Sequence, residues 1–473
     1  MIMKTRIESD LLGEKQIPAE ALYGVQTLRG MENFPISKFK LKDYPLFING
    51  LAYTKLGAAM ANHDQHLLTD EQFKAIEQAC REILDGQWHD QFPVDMIQGG
   101  AGTTTNMNAN EVIANRALQI MGHQAGEYQF CSPNDHVNCS QSTNDAYPTA
   151  IHMGLYATNM ELVKHYEQLI QAFEIKAEEF KNVLKMGRTQ LEDAVPMTVG
   201  QTFGAFASIL RDEVKHLTDA ADEFLTINMG ATAIGTGICA QPGYAELCTK
   251  YMAQITGWAI RKADDLVAAT SDTSCMVGYS SVLRRIATKM NKICNDLRLL
   301  GSGPKCGLHE LDLPARQPGS SIMPGKVNPV IPEVMNQISY KVIGNDLCVA
   351  MCNEAAQMEL NAMEPTMAQC CFESCEILMN GFDVLREFCI NDIQVDAKRC
   401  EDYIKGSIGI VTALNPIIGY KNSTKIAKEA LATGKGVYEL VLEHGVLTKE
   451  ELDTILAPEN MIRPVKLDIQ PRR

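Results

Sequence analysis

No uncharged apolar run in this 473-residue chain approaches the roughly 18 residues that a membrane span requires. The opening stretch Met1-Ile2-Met3-Lys4-Thr5-Arg6-Ile7-Glu8-Ser9-Asp10 also has no apolar core of a signal peptide. The expectation is a soluble, unprocessed, cytoplasmic protein. Basic residues are in deficit: 43 Lys and Arg stand against 58 Asp and Glu, a formal net charge of −15, with a pI near 5.2. Nucleic acid and anionic membrane surfaces need an electropositive footprint, so neither is expected as a partner, and any anionic ligand must meet a local cationic pocket. No Cys-x-x-Cys occurs among the fifteen cysteines. They are dispersed, many at apolar helix positions such as Cys294, Cys371 and Cys375, and read as reduced core thiols. Cys371 and Cys375 could share a helix face as metal ligands, but no histidine lies close in sequence, and the structural reading is preferred. His63-Asp-Gln-His66 is an equally weak metal hint and reads as exposed loop histidines.

What the chain has is length, 45% apolar residues and a sustained helical period. The length implies two or three domains. Residues 1–50 read as irregular, broken by Gly13, Pro18, Gly24, Pro35 and Pro45, with helices expected at 50–63 and 69–86. From 150, apolar residues recur every three or four positions from Met153 through Tyr166 and Phe173 to Leu184. Comparable stripes run from Val199 to Phe224 and from Met276 to Leu300, and more follow Pro332 and Pro365. A helix of some thirty residues spans about 45 Å, which suits a bundle shared between subunits, so a homo-oligomer is expected. Beyond about 396 the stripes shorten and turns multiply, marking a small C-terminal domain with a frayed tail from Arg463.

Polar residues gather where these helices begin and end. Gln98-Gly-Gly-Ala-Gly-Thr-Thr-Thr-Asn106 places glycines and threonines at a helix N-terminus, where free N–H groups favour an anion. Simple capping by Thr103–Thr105 explains it equally well. Ser142, Thr143 and Asn144 form a second group of neutral donors at a helix start, for which a surface loop and cap is the bland account. In Met186-Gly-Arg-Thr-Gln-Leu-Glu-Asp-Ala-Val-Pro196, Gly187 is expected to stop one helix and Pro196 to start the next, holding Arg188, Thr189 and Gln190 at a helix end. Gly230-Ala-Thr-Ala-Ile-Gly-Thr-Gly237 lacks the preceding strand of a dinucleotide fingerprint and reads as an irregular link.

The densest signal is 318–329, Pro-Gly-Ser-Ser-Ile-Met-Pro-Gly-Lys-Val-Asn-Pro. A phosphate loop is excluded, because five residues separate Gly319 from Gly325 and Val327 follows Lys326. What remains is a mobile flap carrying Ser320, Ser321, Lys326 and Asn328, suited to gripping a carboxylate and supplying a nucleophile or base.

With these residues in view the chain resembles the fumarase/aspartase superfamily, whose signature Gly-Ser-Ser-x-Met-Pro-x-Lys-x-Asn stands here as Gly319 to Asn328. Agreement continues through Gly-Ala-Gly-Thr (100–103), Ser-Thr-Asn-Asp (142–145), Gly-Arg-Thr-Gln (187–190) and the run at 292–300. The resemblance implies an all-α fold in three domains: an N-terminal domain (1–140), a central helical bundle (141–396) and a small C-terminal domain (397–473). The central domain would form a twenty-helix core in a homotetramer, each active site being assembled from three subunits. By the same resemblance Ser320, as its oxyanion, corresponds to the base that removes a proton beside the substrate's β-carboxylate. Thr103, Ser142, Thr143 and Ser321 match donors to the enediolate; Thr189, Lys326 and Asn328 match the grip on the other carboxylate; Asn144 and Gln190 face the amino group. Lys326 would help ionise Ser320 as the flap closes. Glu333 matches a position near the serine and lysine, and Arg29 completes the candidate set.

Hydratases of the superfamily usually have Thr-His where this chain has Thr189-Gln190, so release of ammonia from aspartate is expected, with fumarate hydratase as the alternative. No organic cofactor is implied. A divalent cation such as Mg activates some members, but no ligand cluster locates a site for one. A catalytically silent structural relative is the reading from another class, and the presence of Ser320 and Lys326 argues against it.

Overall fold

The computed structural model describes residues 4–472 and divides into two units. Unit 1 holds the chain up to Lys164 with Glu213–Thr288 and Ile338–Met379; unit 2 holds His165–Asp212, Lys289–Gln337 and Asn380 onward. Helices dominate both, and the four sheets among the described residues have two strands each. None of the described helices is long and apolar enough to cross a membrane.

In unit 1 the helices Pro45–Asp64 and Asp70–Leu84 confirm the two expected ones, the first beginning five residues early with Pro45 at its opening position. Thr69 and Gln72 cap the second reciprocally: Thr69 Oγ1 accepts from Gln72 N (3.2 Å), and Thr69 N donates to Gln72 Oε1 (3.1 Å). Residues 1–3 of the stretch expected to be irregular lie outside the described residues, and 4–50 are not irregular. Thr5–Asp10 pairs antiparallel with Gly13–Pro18, and a helix follows at Val25–Asn33. No side chain of its own caps that helix. The buried Glu111 carboxylate does so from another helix, accepting from Gly24 N, Gln26 N, Thr27 N and Thr27 Oγ1 at 2.6–3.1 Å. Capping from so distant a part of the chain leaves no local motif, which is why the segment reads as irregular.

The long helices are Thr143–Glu179, Val199–Asp222, Ser274–Leu300, Val330–Glu354 and Glu364–Phe388, and each supplies residues to both units. In unit 2 the ring centroids of Tyr166 and Phe382 lie 5.0 Å apart, and Phe173 packs against Phe203 and Phe206. In unit 1 Phe47 stacks on Phe372 at 4.9 Å, and Phe224 meets Tyr279 edge-on at 5.1 Å.

Three further expectations need correction. Residues 184–198 form no helix end: Leu184–Thr189 pairs antiparallel with Glu192–Thr198, with a register shift between Met186 and Arg188. The shift breaks period-two burial, and Pro196 normally signals against a strand, so the pattern hides the hairpin. Gly230–Gly237 is irregular as expected, but a two-residue strand, Thr226–Ile227, precedes it, parallel to Arg261–Lys262. The tail is not frayed over its described residues, 463–472: Arg472 N donates to Ile417 O (2.7 Å), its guanidinium pairs with Glu451, and Leu467 and Ile469 pack on the unit 2 core. Among the histidines, His63 lies in the last turn of its helix, paired with Asp70 and stacked on Phe73, while His66 is exposed.

Candidate active site

Unit 1 holds four of the candidate donors at two helix starts. The Thr103–Ile120 helix begins after Gly102, which has φ +89° and lies so close to Tyr147 that a Cβ would sit 2.3 Å from the ring. Any side chain there would push the helix start away, so glycine is required. Thr103 is exposed, and its Oγ1 donates to Gly100 O (2.8 Å). Thr105 N donates to Gln98 Oε1, so Gln98 rather than a threonine does the side-chain capping.

At the second start, Ser142 N donates to Asp145 Oδ1 (2.9 Å) and Asn144 N to Ser142 Oγ (3.3 Å). Asp145, fully buried, also accepts from Gly230 N and Thr232 N. Burial pushes its carboxyl up to about 6 against the pull of those N–H groups and Lys55. The Asn144 amide donates to Ala233 O (2.7 Å), which presents its carbonyl oxygen as the end able to accept from an ammonium group. The glycine-rich link therefore does more than join helices: it fixes Ser142–Asn144 through residues eighty-odd positions away.

Beneath this cluster lies Lys55, which sequence reasoning missed. Its Nζ is 2.7 Å from Asn106 Oδ1, 3.1 Å from Asn138 Oδ1 and 2.8 Å from Gln141 Oε1. Burial lowers its pKa to about 7, opposed by the Asp145 carboxylate. The available signal was a lysine inside Leu51-Ala-Tyr-Thr-Lys-Leu-Gly-Ala-Ala59, on a helix buried nearly all round. Arg29, also in unit 1, is engaged by Asp10 through two contacts at 2.7 and 2.8 Å and by Gly13 O.

Unit 2 holds the remaining candidates. Thr189 ends the first strand of the hairpin, and the two-residue turn Gln190-Leu191 has φ +56° and +68°. Two left-handed residues match the twist of a tight hairpin, but non-glycine side chains pay strain to adopt it. Thr189 and Gln190 are exposed at that tip. Lower down the hairpin Arg188 is ion-paired with fully buried Glu310 at 2.7 Å.

The flap is closed at its stem. Gly319 N donates to Lys326 O (2.7 Å), and the Asn328 amide donates back to Gly319 O (2.8 Å). Within it, Ser320 Oγ accepts from Ile322 N (3.2 Å) and Met323 N (3.1 Å). Those two backbone donors were not foreseen, and they are what an oxyanion at Ser320 would use. Ser321 and Lys326 are exposed; Glu333 is half-buried in the first turn of the Val330–Glu354 helix. The described residues contain no group of three His, Cys, Asp or Glu arranged to hold a metal. Cys371 and Cys375 are buried, and Cys375 Sγ lies 3.3 Å from the Tyr279 hydroxyl.

Within unit 2, a serine whose oxygen accepts from two N–H groups thus shares one flap with a lysine, and within unit 1 hydroxyl-bearing residues stand at two helix starts. Residues 13–344 match the family described as lyase, and residues 410–463 match the fumarase C C-terminus. The chain belongs to this lyase family, within the fumarase/aspartase superfamily. It is 54% identical to the aspartate ammonia-lyase of Pseudomonas aeruginosa over 98% of both chains. It is 53% identical to that of Escherichia coli K12, over 97% of this chain and 96% of the relative. Among solved structures, a Brucella melitensis protein described as fumarate lyase:delta crystallin bound to cobalt matches with a TM-score of 0.95 and 48% identity, over 98% of this chain and all of the other. A class II fumarase from Schistosoma mansoni matches at 0.91 and 34% identity, over 97% and 99%.

Proposed function

We propose that the protein is a carbon–nitrogen lyase that reversibly converts L-aspartate to fumarate and ammonia, with Ser320 as the base. The observation that carries the reading is the Ser320 oxygen between Ile322 N and Met323 N, in a loop bracketed by Gly319 and Asn328. A free serine hydroxyl is a poor base, and two fixed N–H donors plus the Lys326 charge favour its ionised form. Ser320 takes the proton from the carbon beside the β-carboxylate. Thr103, Ser142, Thr143 and Ser321 receive the charge that arrives on that carboxylate. The C–N bond then breaks, its electron pair leaving with nitrogen, while Asn144 and Gln190 hold the amino group. Thr189, Lys326 and Asn328 grip the second carboxylate. Fumarase activity is less well supported, since the aspartate ammonia-lyases are more similar in sequence than the fumarase.

Purified protein offered L-aspartate and L-malate separately decides: fumarate should appear from aspartate, and fumarate from malate alone refutes the reading. The reaction needs no organic cofactor, and full turnover should survive dialysis; loss restored by Mg after chelation would identify a divalent activator. We further propose a cytoplasmic homotetramer whose sites draw residues from several subunits. Tyr340, Leu347 and Met351 leave an apolar stripe of the Val330–Glu354 helix exposed, which favours burial against other copies. Subunit exchange between inactive Thr189→Ala and Ser320→Ala variants should restore part of the activity. No recovery in demonstrated heterotetramers counts against shared sites.

A further inference from the structure

An ammonium group carries three N–H donors and no acceptor. Around Lys55 Nζ stand three amide oxygens, from Asn106, Asn138 and Gln141. Supply and demand match only for the charged lysine; a neutral amine would leave one oxygen without its donor.

The match fixes more than the lysine. With Oδ1 of Asn106 held by Lys55, its Nδ2 must face the other way, and it donates to Asn138 Oδ1 (3.1 Å) and Thr143 Oγ1 (3.3 Å). A threonine hydroxyl that accepts from Asn106 keeps its own proton for a further partner. The Gln141 amide, its oxygen likewise held, donates to Val137 O and Cys139 O, and Asn138 Nδ2 donates to Gln141 O. The turn leading into Ser142 and Thr143 thus hangs from one buried cation. The charged and titratable groups facing that cation from neighbouring elements are Asp145 and the thiols of Cys80 and Cys248.

We infer that Lys55 is a positioning residue: through Asn106 it turns the Thr143 hydroxyl into a fixed donor aimed at the substrate's carboxylate. The inference rests on the role given to Thr143 above. Lys55 touches no substrate in this scheme, so its effect must pass through Asn106. A donor aimed in advance at a developing oxyanion is worth about 100- to 1,000-fold in kcat; misdirecting it should cost somewhat less.

The test is a double-mutant cycle on the full-length enzyme with Lys55→Met, Asn106→Ala and their combination, reading kcat, KM and the dissociation constant of succinate. Lys55→Met should lower kcat by roughly 10- to 100-fold while KM and succinate affinity change less than about 3-fold, because the loss falls on the transition state. In the Asn106→Ala background the same substitution should change kcat by less than about 3-fold. Unchanged kcat in folded Lys55→Met, or independent effects that multiply, overturns the inference. Should Lys55→Met fail to fold, the cycle of Asn106→Ala with Thr143→Val decides: additivity there breaks the relay on which the inference depends. Failure of the functional reading is separable, since wild-type protein that turns over malate and not aspartate sinks that reading while the same cycle is run on malate.

Discussion

Replacing Gly319 by alanine tests whether the closed stem of the flap is required for chemistry. An ideal Cβ at 319 lies 2.7 Å from Lys326 O and 2.9 Å from Asn328 N, both backbone atoms that cannot swing aside. Relief requires the strands of the stem to part by about half an ångström, which weakens both bonds of the bracket, Gly319 N to Lys326 O and Asn328 Nδ2 to Gly319 O. At about 0.5–1.5 kcal/mol net per bond, the closed stem loses about 1–3 kcal/mol. That is about 5- to 150-fold in the closed-to-open ratio, and kcat should fall by up to that factor, as the open form comes to dominate, if only the closed stem presents Ser320 with its two donors. Global stability should hardly move, because residues 321–327 are exposed and a surface loop opens independently of the core. Steady-state kinetics, the thermal midpoint and the rate of protease cleavage within 321–327 measure the three consequences. Near-normal kcat with faster cleavage would show that the stem opens without harm and would refute the reasoning. A fall of many degrees in the midpoint would show that the loop is not the independent element described.

Ser320→Ala should lose several orders of magnitude in kcat yet still bind succinate, as expected for a proton-transfer group, whereas Lys326→Ala should weaken succinate binding by on the order of 2–5 kcal/mol and lower turnover too. Intact turnover in the first with intact binding in the second would make lysine the better base. Glu364, fully buried, has its carboxyl pushed up by burial from 4.5 to about 8. The folded protein therefore holds this proton where the unfolded chain has released it; the stability that protonation provides is complete below 4.5 and lost as pH rises to about 8. Glu364→Gln removes that dependence, so the variant should gain on wild type by up to roughly 5 kcal/mol between those limits, the value of the full shift; a difference independent of pH in denaturant titrations refutes the assignment. Glu111→Gln replaces one carboxylate oxygen at the start of the Val25–Asn33 helix by an N–H2 group, which then faces either the Gln26 N–H or the three donors to the other oxygen, and should cost about 1–3 kcal/mol while leaving KM within about 2-fold.

The long helices were legible because their burial follows the 3.6-residue period: Tyr166, Phe173, Phe203 and Leu210 are all fully buried where the stripe places them. The two larger hairpins were not. In 184–198 the register shift puts Lys185, Met186 and Gly187 consecutively inside, so neither a period of two nor of 3.6 is visible. In the N-terminal hairpin most side chains on both faces are exposed or partly so, and hydrophobic alternation has little to act on. The Val25–Asn33 helix draws its cap from Glu111, more than eighty residues away, and a local capping signal could not exist.

The candidate site divides along the same line of sequence distance. Every bond that shapes the flap joins residues at most nine positions apart, from Ile322 N on Ser320 to Asn328 on Gly319, so the twelve-residue stretch carries its own geometry and announces it. The Ser142–Asn144 cluster is built the other way. Asn144 reaches Ala233 across 89 positions, Asp145 reaches Gly230 across 85, and Lys55 reaches Gln141 across 86. The hydroxyls and amides at 142–144 could be recognised as donors, but the direction of each donor is set by partners that only the fold supplies. A base needs a mobile element that can close over substrate, and local bonding lets such an element move without disturbing the core. Donors that stabilise developing charge need the reverse, rigid placement before the charge arrives, which long-range bonding to buried groups provides. On that division of labour, substitutions at the distant partners Lys55, Asn106 and Asp145 should act on kcat through donor placement, whereas those in the flap stem should act through the fraction of time it is closed.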